Sequence, residues 1–471
     1  MKKICRFGLL LLIIVLSAGM IFPAAAEEEV SLSVRAGCVT LDAAVSLRDG
    51  EKLLDTAKAV ILYDLDSRTL VYAWNPDQRI DPSGMNKLMT ALLALENGNP
   101  DTVVTVTRSA LNSVAIGSVS AGLKTGEEIT LRDLLYCMMV GSANDAAAVI
   151  AEHIGTSQEA FVGLMNQRAQ ELGCENTRFM NANGLSHAEQ YSTARDLAKI
   201  TEAALKNEVF VELFNAASYT VPATNKSEER KIVTTNYLMS QETVKNQFDQ
   251  RVTGGKTGAL STTDRSLICT AESGGRRYLS VLMSAQGTVT ANGLSVKTFG
   301  SFEETRALLD HGFGNYSVRQ VLGRDKIMGQ FRVDGGENDV VGCPAEDVRV
   351  SMPKDLAPSD VTYKAVVNTA LTAPVQKGQV IGTVEVWYKN ICVGQCAMIA
   401  NHGVDKPGVN NVPLKPTAQE NVNSALRTWL LIGGAVILGL VLLGGGTILV
   451  MRMVRQSKMK RRHKLMNERS H

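Results

Sequence analysis

The sequence predicts an α+β chain in which a sheet is assembled from both ends of residues 50–300 around an inserted helical lobe. A small all-β domain over residues 315–400 and one C-terminal transmembrane helix follow. Strand-like runs open and close the first region, helical periodicity fills its middle, and Thr428 to Met451 carries no charge at all.

The chain has 471 residues, 45% of them hydrophobic, and a formal charge of +2, which fits two folded domains and gives no sign of a nucleic-acid partner. Residues 1–26 place Lys2, Lys3 and Arg6 before an apolar stretch and end on Ala24-Ala25-Ala26, the layout of a cleaved export signal. From about residue 58 to 74, AVILYDLDSRTLVYAW reads as a hairpin turning at Asp66-Ser67-Arg68. A helix is expected after Gly84. Four more follow in TLRDLLYCMMV, NDAAAVIAEHI, EAFVGLMNQRAQEL and TARDLAKITEAAL. Strands return as RVTGGKT, SLICTAE and RRYLSVLMSA, and short strands such as MGQFRV and GQVIGTVEVWY build the second domain.

Residues 401–427 read as a linker rich in proline, glycine and asparagine. The segment 428–451 would be about 36 Å long as a helix, enough for a bilayer core of roughly 30 Å. The basic tail 452–471 is then cytoplasmic, which predicts a single-pass protein of the cell membrane with its bulk outside.

Of eight cysteines, Cys5 leaves with the signal and the other seven are widely spread, so no disulfide framework is expected. Cys137 and Cys269 read as small buried hydrophobes, and Cys392 and Cys396 could pair. Neither a metal nor a cofactor is predicted.

Three short stretches carry chemistry. In DPSGMNK, Lys87 shares a helical stripe with Gly84, Leu88, Ala91 and Leu95, where a lysine is costly unless it is paired, functional or snorkelling. A serine one turn before such a lysine would bring Oγ to Nζ, but that position holds Gly84, and the serine stands one step early at Ser83. Ser83 follows Pro82 and reads as an N-cap. In GSANDAA, Ser142 and Asn144 stand at a break between two apolar helices, either projecting into a cleft or serving as a helix end and N-cap. KTG occurs twice. Lys124-Thr125-Gly126 leads into a capping box and is a turn, whereas Lys256, Thr257, Gly258 and Ala259 follow a strand and suit a carboxylate held at a sheet edge.

The order S/GxxK, SxN, KTG, with the flanking runs GLKTGEEITLRDLLYCMMVGSANDAAAVIAEHI, NTRFMNANGL and YSTARDLA, resembles the exported D-alanyl-D-alanine carboxypeptidases, the low-molecular-weight penicillin-binding proteins. LTAPVQKGQVIGTVEV is similar to that family's second domain. The resemblance implies a DD-peptidase/β-lactamase-like domain, an antiparallel sheet flanked by helices. Its substrate would be the peptidoglycan stem peptide, with β-lactams as further ligands, here non-covalent.

By resemblance, Lys87 is the helix lysine, Ser142 the proton-shuttle serine, Asn144 its amide partner, and Lys256 with Thr257 the carboxylate clamp. The N–H groups of Gly84 and Ala259 would form the oxyanion hole, and the nucleophile position falls on Gly84. Leu260 and Thr263-Asp264 also depart from the family's pattern. Two readings follow: a non-hydrolytic relative that keeps the cleft, or an active serine carboxypeptidase using Ser83. A class A β-lactamase is a weaker alternative, because it would not carry the β domain. Serine is a better helix former than glycine, so a helix start at Gly84 should accept Gly84→Ser without strain.

Overall fold

The computed structural model describes residue 41 and residues 52–240, 247–291, 295–356, 360–367, 370–388 and 391–408. Strands β1 (Ala59–Asp64) and β2 (Thr69–Trp74) form the expected hairpin. Its turn is fixed by the Asp64 carboxylate, which accepts the N–H groups of Asp66 and Ser67 at 3.0 and 2.8 Å, while Arg68 takes a positive φ of 53°. β3 (Val252–Ala259), β4 (Asp264–Ser273) and β5 (Arg276–Gln286) complete a five-stranded sheet in the order β2-β1-β5-β4-β3. All its pairings are antiparallel, so the two ends of the segment meet at β1 and β5.

Both faces of this sheet are covered, and the strand period of two sorts the side chains. Ile61, Tyr63, Leu279 and Val281 join the core beneath the helical lobe. Val60, Leu62, Tyr278 and Leu282 pack on the other face with Phe302, Leu308 and Leu309, from the helix Gly300–Asn315. Each such fully buried large apolar side chain contributes roughly 1.5–3 kcal/mol.

The helical lobe contains α1 (Asn86–Asn97), α2 (Leu131–Met139) and α3 (Asn144–Gly155). A short 3-10 turn, Ser83–Met85, precedes α1, so Gly84 lies before the helix and not within it. Thr130 caps α2 by accepting the Asp133 N–H at 3.0 Å. The first KTG copy lies at a turn, with Gly126 at φ +77°.

The second domain is an antiparallel sheet in the order Gly329–Phe331, Val340–Pro344, Ile391–Ala400, Val380–Tyr388, Val361–Val367. A further pair, Tyr316–Leu322 with Val348–Pro353, meets the first domain where Ser351 N–H donates to Thr69 Oγ1 at 3.3 Å. The Arg276 guanidinium ties the same junction by donating to the carbonyls of Phe313 and Tyr316 at 2.8 and 2.7 Å. Cys396 is a free, buried cysteine and is therefore not paired with Cys392.

The membrane expectations need correction. Among the described residues no helix is long and apolar enough to cross a membrane. The longest of them, Gly300–Asn315, reaches only about 24 Å and carries Glu303, Glu304, Arg306 and Asp310. The transmembrane helix, the signal peptide, the membrane as a partner and the single-pass location accordingly have no support in the described structure. The residues on which they were placed, 1–26 and 428–471, lie outside the described residues. The chain divides into a unit Met1–Val404, which holds both domains, and a unit Asp405–His471, of which residues 405–408 are described.

Candidate active site

The site begins at the turn before α1. The Asp81 carboxylate accepts the Ser83 N–H at 2.9 Å and the Gln190 side-chain amide at 3.1 Å, and Met85 N–H closes the turn on Pro82 O at 3.0 Å. Ser83 is held at φ +45°, a left-handed conformation unusual for a residue with a side chain. This turns Gly84 toward the cleft: a Cβ built on Gly84 would lie 3.8 Å from Ser142 Oγ. One residue into α1, Lys87 is only 2% exposed. Its ammonium donates to Asn144 Oδ1 at 2.7 Å and, in a very short contact, to the carbonyl of Asn183.

Ser142 sits between α2 and α3 at φ +61°, and Asn144 starts α3. The break between the helices thus projects both side chains inward. Lys256, on β3 and 1% exposed, donates to Ser142 Oγ at 2.9 Å and to Thr257 O at 3.0 Å. Thr257 shares a hydroxyl hydrogen bond of 2.5 Å with Thr235. Gly84, Ser142 and Thr257 are half-buried and form the mouth, with Ala259 exposed beside them and the two lysines behind.

Burial lowers both amines. Desolvation pushes Lys256 down to about 7. Lys87 is held well below the ordinary lysine range by desolvation first and by the Lys256 charge second, with Asp145 acting in the opposite direction. Neither lysine forms an ion pair with a carboxylate among the described residues, because the partners named above are neutral oxygens. The site therefore joins two depressed amines, a hydroxyl and an amide, a set suited to passing protons and to receiving an anion.

The serine nearest Lys87 in sequence is turned away from it. Ser83 Oγ is buried with no hydrogen-bond partner, and it faces β3 instead of Lys87: a Cβ on Gly258 would come within 2.3 Å of it. The backbones converge tightly here. A Cβ on Gly184 would collide with the Ser83 carbonyl, and one on Gly84 would lie 2.9 Å from Thr257 O. The residue at position 84 is thus against the strand, and a side chain there is not free of strain. Ser83 does not cap α1, whose N-terminus shows no side-chain cap. Replacing Ser83 with glycine should relieve the left-handed backbone and remove the unpaired hydroxyl. A gain of about 1 kcal/mol in a urea-denaturation series is expected, and a loss would show that Ser83 Oγ holds the turn.

Several residues of the site were assigned no role from sequence. Asn183 supplies its carbonyl to Lys87, and Asn181 Oδ1 accepts the Gly184 N–H at 2.7 Å to shape that turn. The NANG pattern of an Asx-type turn was the available signal. Asp145 gathers Ser120 Oγ and the N–H groups of Ala121, Leu123 and Ala146. Leu260 and Asp264 close the β3–β4 turn, where Leu260 N–H donates to Asp264 O at 2.9 Å. Among the described residues no cluster of histidine, cysteine or acidic groups could hold a metal ion.

Residues 50–287 match the family description "D-alanyl-D-alanine carboxypeptidase", and residues 316–406 match "Penicillin-binding protein 5, C-terminal domain". The chain is 28% identical over 372 residues to D-alanyl-D-alanine carboxypeptidase DacF of Bacillus subtilis, covering 78% of this chain and 91% of the relative. It is 30% identical over 354 residues to D-alanyl-D-alanine carboxypeptidase DacD of Escherichia coli, covering 73% and 86%. Among solved structures, penicillin-binding protein 5 from Haemophilus influenzae superposes with a TM-score of 0.60 at 28% identity, over 76% of this chain and 100% of that one.

Proposed function

Because the chain belongs to the D-alanyl-D-alanine carboxypeptidase family, we propose that it is a member that holds peptidoglycan stem peptides without forming an acyl-enzyme. The observation that carries this reading is the position of Gly84. A Cβ there would lie within 3.8 Å of Ser142 Oγ, and no hydroxyl is there to be acylated. In this reading Gly84 stands at the nucleophile position. Lys256, Thr257 and Gly258 receive the terminal carboxylate, Ala259 flanks the scissile carbonyl, and Lys87, Ser142 and Asn144 keep the polar network in register. β-Lactams would occupy the same cleft without a covalent bond. Hydrolysis through Ser83 is disfavoured by a hydroxyl that faces Gly258 and makes no bond to Lys87.

Calorimetry with an acetylated Lys-D-Ala-D-Ala peptide should detect binding with no release of D-alanine over hours. Lys256→Met should weaken that binding at least tenfold, since it removes a charge-assisted hydrogen bond. Release of D-alanine by the wild-type protein, abolished by Ser83→Ala, would overturn the reading.

A further inference from the structure

On the reading just given, we propose that the site takes up one proton as it binds its ligand, so that it selects a free carboxylate and holds it more tightly as the pH falls. The argument starts from the two buried lysines. They enclose the cleft from α1 and β3, and among the described residues each meets only neutral oxygens. The Asp145 carboxylate, from α3, is the acidic group that favours the charged form of Lys87. It is already committed to Ser120 Oγ and three N–H groups. The segment 181–184 and Thr235 bring amides, carbonyls and hydroxyls alone.

An empty site of this kind resists holding two charged ammonium groups, because each is desolvated and Lys256 repels Lys87. A carboxylate entering between Ser142 and Thr257 brings the missing negative charge to Lys256 Nζ. The proton passes from a solvent or buffer acid to the lone pair of the amine, and no bond of the ligand breaks. The ion pair then favours the ammonium form that the empty site disfavours, so binding and protonation reinforce each other.

The sign follows from Lys256, whose amine burial pushes down to about 7 in the empty site. Above that value the empty site is mostly unprotonated and each ligand must recruit a proton, so affinity falls about tenfold per pH unit until the bound-state value is passed. Below it the amine is already charged and affinity levels off.

The test uses acetylated Lys-D-Ala-D-Ala and its C-terminal amide, titrated calorimetrically at pH 8 in phosphate and in Tris, whose ionisation heats differ. The free acid should take up close to one proton per ligand, and its association constant should drop about tenfold from pH 8 to pH 9. The amide should show neither effect and bind more weakly. Binding of the acid with equal heats in both buffers would overturn the proton coupling while leaving the proposed function standing. Failure of both peptides to bind would remove both. Lys256→Met, if it still binds the acid weakly, should lose the pH slope, and a slope that survives in that variant assigns the proton elsewhere and refutes the proposal.

Discussion

Gly84→Ser should turn a protein that fluorescent penicillin leaves unlabelled into one that it labels covalently. The new Cβ would lie 3.8 Å from Ser142 Oγ, and Lys87, whose buried amine is held well below the ordinary lysine range, lies on the first turn of the adjoining helix. An amine depressed in this way can accept a hydroxyl proton at neutral pH, which an ordinary lysine cannot. The substitution has a structural cost that the sequence did not reveal. The same Cβ lies 2.9 Å from Thr257 O and 3.4 Å from Gly258 Cα, so the backbone of β3 itself must shift, a strain of about 1–3 kcal/mol. Gly84→Ala separates the two effects: it should share the loss of stability and show no label. Adding Lys87→Met to Gly84→Ser should abolish labelling. Labelling of the wild-type protein would sink the non-acylating reading. A folded Gly84→Ser protein that stays unlabelled would show that β3 has closed on the turn too far for acylation.

The large features were legible because each has a local signal. The hairpin at β1 and β2 announces itself by two strand-like runs around Asp66-Ser67-Arg68, and the Thr130 cap by its spacing to Asp133. The motif residues Lys87, Ser142, Asn144 and Lys256 do converge, although Lys256 and Ser142, which are hydrogen-bonded, stand 114 residues apart in the chain. What stayed hidden depends on backbone that no side-chain pattern records. Gly84 looked like the first residue of a helix and is the middle of a 3-10 turn. The tightness around it comes from the approach of Thr257 O, from the far edge of the sheet, and from the Asn183-Gly184 turn, which a strand or helix period cannot foresee. Lys87 was readable as a lysine that needs a partner on an apolar stripe, but its carbonyl partner was not, since any residue supplies a carbonyl.

Glu127→Ala is expected to be the most destabilising single change outside the hydrophobic core, costing about 3–5 kcal/mol. Glu127 is fully buried. Its carboxylate takes a very short contact from Arg230, the Thr224 hydroxyl at 2.9 Å and the Lys124 N–H at 3.0 Å. Arg230 is itself mostly buried, with a side-chain exposure of 16%; it also donates to the Ala121 carbonyl at 3.1 Å, and its Nε has no partner. Truncating Glu127 leaves that guanidinium in a poorly hydrated place with one carbonyl for company, which is why breaking a buried pair costs far more than the pair itself contributes. The urea midpoint should fall accordingly at unchanged slope. Glu127→Ala with Arg230→Met should recover most of the loss, because no uncompensated charge remains; equal losses in the single and double variants would show that the damage comes from the freed Lys124 and Thr224 contacts. The consequence reaches the cleft. Glu127 and Asp145 anchor the two ends of the same segment, Ser120 to Glu127, and the Val119 carbonyl just before it accepts the Asn144 N–H at 2.8 Å. Since Asn144 Oδ1 is the side-chain partner of Lys87, loosening this segment should weaken D-Ala-D-Ala peptide binding even at temperatures where the variant remains folded.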